Sequence, residues 1–137
     1  KNISRNVNWA VYDKSSGSAR YMQLNNDNQS YVSSAFWANT TPTSTQFTVG
    51  ANSSSVNNTG DNFIAYLFAT VPGVSKAGFY SGTGNAIDVD CGFSNGARFV
   101  MIKRTTGSGS WYMWDTTRGI VSGNDPMLFA NLSNTET

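Results

Sequence analysis

Near its start the chain reads Asn8-Trp9-Ala10-Val11-Tyr12-Asp13-Lys14-Ser15-Ser16-Gly17, and near its end Ser110-Trp111-Tyr112-Met113-Trp114-Asp115-Thr116-Thr117-Arg118-Gly119. The Trp, Asp and Gly of the two stretches each stand 102 positions apart. A single domain has no physical need to repeat its own strand and turn at that distance. The chain therefore reads as a window on a tandem array of units about 100 residues long, beginning and ending partway through a unit. On this reading residues 1–72 are a first unit lacking its start and 73–137 a truncated second one, with strands shared across a joint at Pro72-Gly73.

The hydrophobic pattern is almost wholly that of strands. Val7, Trp9 and Val11 alternate with Asn8, Ala10 and Tyr12, a period of two that places Trp9 inward. With that placement, Trp9→Ala is expected to cost about 3–5 kcal/mol. Residues 63–69 (Phe-Ile-Ala-Tyr-Leu-Phe-Ala) and 99–102 (Phe-Val-Met-Ile) are apolar on both faces, as central strands are. Shorter strands are expected at residues 21–24, 34–37, 46–49, 77–81, 87–92, 111–115 and 127–130, with no convincing helix. Gly- and Asn-rich turns separate them, among them Ser81-Gly82-Thr83-Gly84, Ser94-Asn95-Gly96 and Thr106-Gly107-Ser108-Gly109. About ten short antiparallel strands at such spacing predict an all-β sandwich of jelly-roll type, one unit plus part of the next. Asn52 to Gly60 is the longest polar stretch and reads as a surface loop. Cys91, the only cysteine, can form no internal disulfide and reads as a small buried apolar side chain.

Charge is sparse, and that excludes several partners. Only 12% of residues are charged and the formal net charge is +1, which supplies no electrostatic footprint for nucleic acid. No apolar run is long enough for a helical membrane span. Asn, Ser, Thr and Gly fill 61 of the 137 positions, so amides and hydroxyls carry the hydration.

The chemical inventory is equally thin. There is no histidine, which removes the commonest general base and metal ligand, and one cysteine cannot build a thiolate zinc site. No catalytic residue, metal ligand or cofactor site is assigned. The carboxylates Asp13, Asp27, Asp61, Asp88, Asp90, Asp115, Asp125 and Glu136 are the remaining route to an enzyme, of the paired type that cleaves glycosidic bonds. Asp88-Val89-Asp90 puts two acids on one strand face, but a calcium site needs six to eight oxygens. Asp13 and Asp115, at matched places in the repeat, are expected to cap their turns through backbone N–H groups.

Aromatic side chains are the one recognition resource, because Trp and Tyr stack on sugar rings and anchor protein interfaces. Strand alternation puts Tyr112 and Trp114 on the face opposite Trp111 and Met113. Trp37 stands where a strand is expected to enter the loop Ala38-Asn39-Thr40-Thr41-Pro42. These three, Trp37, Tyr112 and Trp114, are the candidate ligand-binding residues.

Five further segments carry a resemblance: Asn8-Trp9-Ala10-Val11-Tyr12-Asp13, Thr41-Pro42-Thr43-Ser44-Thr45-Gln46-Phe47-Thr48-Val49-Gly50, Gly60-Asp61-Asn62-Phe63-Ile64-Ala65-Tyr66-Leu67-Phe68-Ala69, Val74-Ser75-Lys76-Ala77-Gly78-Phe79-Tyr80-Ser81-Gly82-Thr83-Gly84 and Arg98-Phe99-Val100-Met101-Ile102-Lys103-Arg104. In their order and spacing they resemble the repeated β-rich domains of tail-fibre and virion-surface proteins of marine tailed bacteriophages, cyanophages above all. The chain departs from that pattern at Cys91-Gly92-Phe93-Ser94, where related repeats carry a Pro after the Gly-Phe. The resemblance implies a place in the virion and not a chemical mechanism, and it carries over no catalytic residues.

Three functions follow as expectations. The first is a non-enzymatic tail-fibre or surface repeat that self-associates, a trimer being common for fibres, and touches host-surface glycans. The alternative is a capsid or tail decoration protein that binds only other virion subunits. A polysaccharide-cleaving enzyme comes third. At seawater ionic strength the Debye length is only about 4 Å, so a surface of amides and hydroxyls serves a particle better than one of charges.

Overall fold

The computed structural model describes residues 1–51, 53–120 and 125–134. Among them are six strands and one helical turn: β1 (Ala10–Val11), β2 (Arg20–Gln23), β3 (Tyr31–Val32), α1 (Ser34–Trp37), β4 (Phe99–Lys103), β5 (Trp111–Asp115) and β6 (Leu128–Phe129). The chain is all-β with almost no helix, and its strands form two antiparallel sheets, β1-β2-β3 and β4-β5-β6. Six described strands stand where about ten were expected. Residues 46–49, 77–81 and 87–92 lie in none of them, while β3 escapes the sequence pattern because it is only two residues long.

The repeat is real in three dimensions. In the first hairpin Ala10 pairs with Gln23 and Val11 with Met22. In the second, Tyr112 pairs with Phe129 and Met113 with Leu128. The next step of each ladder is the same bond: Leu24 N–H donates to the Trp9 carbonyl at 3.0 Å, and Ala130 N–H to the Trp111 carbonyl at 3.2 Å. Two hairpins of different sequence thus share one register, and register is what fixes which side chains share a face.

Residues 34–37 make a turn of helix instead of the expected strand. Ser33 caps it, its hydroxyl accepting from Ala35 N–H, and Ala38 closes it in the left-handed region at φ 49°. Gly50 presses on this turn, donating its N–H to the Phe36 carbonyl at 2.7 Å. A Cβ at Gly50 would come within 2.1 Å of the Ala35 carbonyl oxygen, so no other residue fits there without backbone movement.

The hydrophobic interior is small: Met22, Trp37 and Trp111 are the buried apolar side chains among the described residues. Trp111 joins the two sheets, its indole N–H donating to the Gln23 carbonyl at 2.9 Å. The loop after β4 continues the joint. Ser30 N–H and hydroxyl both donate to the Thr105 carbonyl, and Gly109 N–H donates to the Asp27 carbonyl at 2.8 Å. Trp9, by contrast, is only half-buried, stacked on Tyr66 with ring centroids 6.1 Å apart. The inward placement expected of the first repeat belongs to its counterpart Trp111.

Asn2 is fully buried and organises the N-terminal end. Its amide donates to the Ser54 carbonyl and to Asp61 Oδ2, and its own oxygen accepts from Ser4 N–H. Arg5 and Asn58 also donate to Asp61. The polar stretch expected as a surface loop is therefore anchored at Ser54 and Asn58.

The largest correction concerns residues 63–69. They were expected in the core, yet Tyr66, Leu67 and Phe68 are 64%, 75% and 85% exposed, and only Phe63 makes a strand-type bridge, to Asn2. Periodicity reports that a segment is apolar on both faces; it does not report whether anything covers them. Cys91, expected buried, is half-exposed.

Candidate functional site

The turns that close each repeated strand are built alike. Asp13 accepts from Ser15 and Ser16 N–H, and Gly17 N–H returns to the Asp13 carbonyl at 3.1 Å. Asp115 accepts from Thr117 and Arg118 N–H at 2.9 and 3.0 Å, and Gly119 N–H returns to the Asp115 carbonyl at 3.2 Å. Both glycines have positive φ, 79° and 112°, which explains why Gly is the third repeated residue. The two acids are turn caps, as expected.

Their titration follows from that role. Burial pushes the Asp13 carboxyl up, but hydrogen bonds from Ser15 and Ser16 outweigh it and hold the group below its ordinary range. Asp115 is held low chiefly by the Arg118 backbone N–H, against a smaller effect of burial, with help from the Arg118 side chain. Hydrogen bonds from Arg5 and then Asn2 likewise keep Asp61 low.

A further pair of matched residues was not legible in the sequence. Asn25 Oδ1 accepts from Trp9 N–H at 2.9 Å, and Asn131 Oδ1 accepts from Trp111 N–H at 2.8 Å. Each amide then donates to the residue before the Trp, Asn25 to Asn8 at 2.8 Å and Asn131 to Ser110 at 3.4 Å. The asparagines lie 16 and 20 positions after their Trp partners. That four-residue difference breaks the constant offset that exposed the rest of the repeat.

The candidate binding residues separate. Tyr112 and Trp114 share one face of β5 with rings nearly parallel, 5.8 Å between centroids and 11° between planes. Phe129 meets the Tyr112 ring edge-on at 5.2 Å. Across the β4 ladder Ile102 stands opposite Tyr112 and Val100 opposite Trp114. A shallow hollow of about 220 Å³ opens beside Trp114, lined by Val100, Ile102, Ile120 and Asp125. The face is apolar, half-exposed and bordered by one carboxylate. It can stack a flat apolar ring.

Trp37 lies elsewhere. It is 8% exposed, packs edge-to-face on Tyr12 at 5.9 Å and leans on Phe36, and its buried indole N–H has no hydrogen-bond partner. No described contact joins it to Tyr112 or Trp114.

Among the described residues no three His, Cys, Asp or Glu side chains come close enough to hold a metal ion. Asp90 accepts from Gly92 N–H, closing a local turn. Among the described residues no helix is long and apolar enough to cross a membrane. No curated protein and no solved structure matches the chain. The family described as a domain of unknown function, DUF7483, matches it over residues 1–137, and the chain belongs to that family.

Proposed function

We propose that the chain is a non-enzymatic structural repeat of a virion-surface assembly, a tail fibre above all, which offers the Tyr112–Trp114 face to host-surface glycans. The observation that carries this reading is the recurrence of one hairpin in two places, with the same register, the same Asn clamp on the Trp amide and the same Asp-to-Gly turn. Stacked identical units build length and surface without chemistry, and a surface poor in charge suits high salt. In the assembled particle the two sheets are the layers of a jelly-roll-like sandwich. Residues 1–72 and 73–137 fall to successive units, and self-association, with three chains as the natural number for a fibre, covers the apolar side chains that the lone chain exposes.

Immunogold electron microscopy with an antibody raised against the chain should label fibres on intact particles. Label confined to the capsid shell would favour a decoration protein, and label on no particle would end the virion reading. Adsorption of the purified chain to host cells should fall on Trp114→Ala and Tyr112→Ala but not on Tyr80→Ala. Equal adsorption by all three would remove the glycan role.

A further inference from the structure

The repeat and the N-terminal pairing, taken together, define a place for a strand. On the outer edge of β5 lies β4, with Phe99 opposite Asp115, Met101 opposite Met113 and Lys103 opposite Trp111. The matching edge belongs to β1, which among the described residues pairs only with β2. Shifting β4 by the repeat offset of 102 brings Lys103 onto Lys1. Lys1 is itself a lysine, and its Nζ lies 6.0 Å from the ring centroid of Trp9, the counterpart of Trp111. Lys1 thus holds beside Trp9 the place that Lys103, the last residue of β4, holds beside Trp111.

A second register, independent of the first, describes the other side of that line. Asn2 bridges Phe63 in antiparallel fashion, Ile3 N–H donates to the Asn62 carbonyl, and Lys1 exchanges bonds with Ile64 in both directions at 2.8 and 2.9 Å. A strand running into Lys1 would therefore continue along residues 65–68. These are the residues that the chain exposes although both their faces are apolar. Trp9 and Tyr66 stack across the line from its two sides. Two ladder spacings amount to about 10 Å, a gap that two large rings projecting from one face can bridge.

We propose that β1 and residues 65–68 are the two walls of a slot that receives a strand of β4 sequence supplied by another repeat of this unit. The combined registers assign the contacts. The incoming Met101 lies between Val11 and Tyr66, Val100 between Tyr12 and Leu67, and Phe99 between Asp13 and Phe68. Main-chain hydrogen bonds on both edges give the affinity, as in other strand additions, and the apolar faces give the register. The inference rests on the repeat and not on a virion-surface role, so either can fail without the other.

The test uses the full 137-residue chain and a synthetic peptide of residues 96–102 (Gly-Ala-Arg-Phe-Val-Met-Ile) carrying an N-terminal lysine tail for solubility. Saturating peptide should slow amide hydrogen exchange about tenfold or more within residues 10–12 and also within 65–68. A peptide with Val100→Pro should bind at least about tenfold more weakly, because it loses a ladder donor. The chain variant Phe68→Pro, altered at an exposed position whose N–H faces the slot in the Lys1–Ile64 register, should keep its thermal unfolding and lose peptide binding. Protection of one wall alone, protection confined to β5 through displacement of β4, no binding, or equal binding by the proline peptide would each overturn the proposal.

Discussion

Trp111 does more than fill space: it is 6% exposed and its indole N–H crosses to the Gln23 carbonyl of the other sheet. Trp111→Ala should cost about 3–5 kcal/mol in urea denaturation, while Trp111→Phe, which keeps the packing but drops the bond, should cost roughly 1–2. Trp9→Ala should cost clearly less than Trp111→Ala, because its ring is half-exposed against Tyr66. Equal losses at the two Trp positions would contradict this difference in environment. The turn acids set the pH dependence. Asp13, Asp61 and Asp115 have carboxyls held below their ordinary range in the folded chain. Their contribution is present in full above the unfolded value of about 4 and is lost as pH falls through the lower folded values. The urea midpoint should fall as pH drops below about 4. The triple variant Asp13→Asn, Asp61→Asn, Asp115→Asn should show a shallower acid fall, and an unchanged slope would detach these groups from acid lability.

At the scale of elements, the two hairpins are one object made twice, and the parts that were legible are those whose chemistry is local. A Trp-initiated strand and an Asp-to-Gly turn each occupy consecutive positions, so β5 runs over Trp111–Asp115 as the pattern predicts. The Asn clamps were hidden because they depend on a contact across a loop of variable length. Asn25→Ala and Asn131→Ala should each destabilise by about 1 kcal/mol, through loss of a partner for the Trp9 and Trp111 amides. If only one of them matters, the hairpins are not energetically equivalent. Residues 34–37 were read as a strand because four residues are too few to display a helical period. Their helix depends on Ser33 and on the contact with Gly50. Gly50→Ala should destabilise by about 1–3 kcal/mol, since its new methyl would meet backbone rather than a movable side chain. A neutral Gly50→Ala in thermal unfolding would mean that the turn yields freely.

At the scale of the whole molecule, three buried apolar side chains among the described residues make a small interior. Ile64, Tyr66, Leu67, Phe68, Val74 and Phe79 are all exposed. Burial of such surface would be worth roughly 25 cal/mol per Å², and the proposed self-association draws on it. Sedimentation should show the average mass rising with concentration, and a strictly monomeric chain across the accessible range would exclude this. Charge screening should matter little to that equilibrium, since only 12% of residues are charged and the net charge is +1. The all-β character and the recurring hairpin were visible in one sequence because both are written in short-range order, whereas the strand number, six described against about ten expected, was not. The exposure of the apolar middle was not legible either, because periodicity does not say what covers a segment.

The unequal spans from Trp to Asn, 16 residues in one hairpin and 20 in the other, have a practical reach. The same clamp closes over both, so length is free to vary between the Gly of the turn and the returning strand. A foreign epitope or affinity tag spliced after Gly119 is therefore expected to leave the Asn131 clamp on Trp111 closed, as the longer of the two natural spans already does.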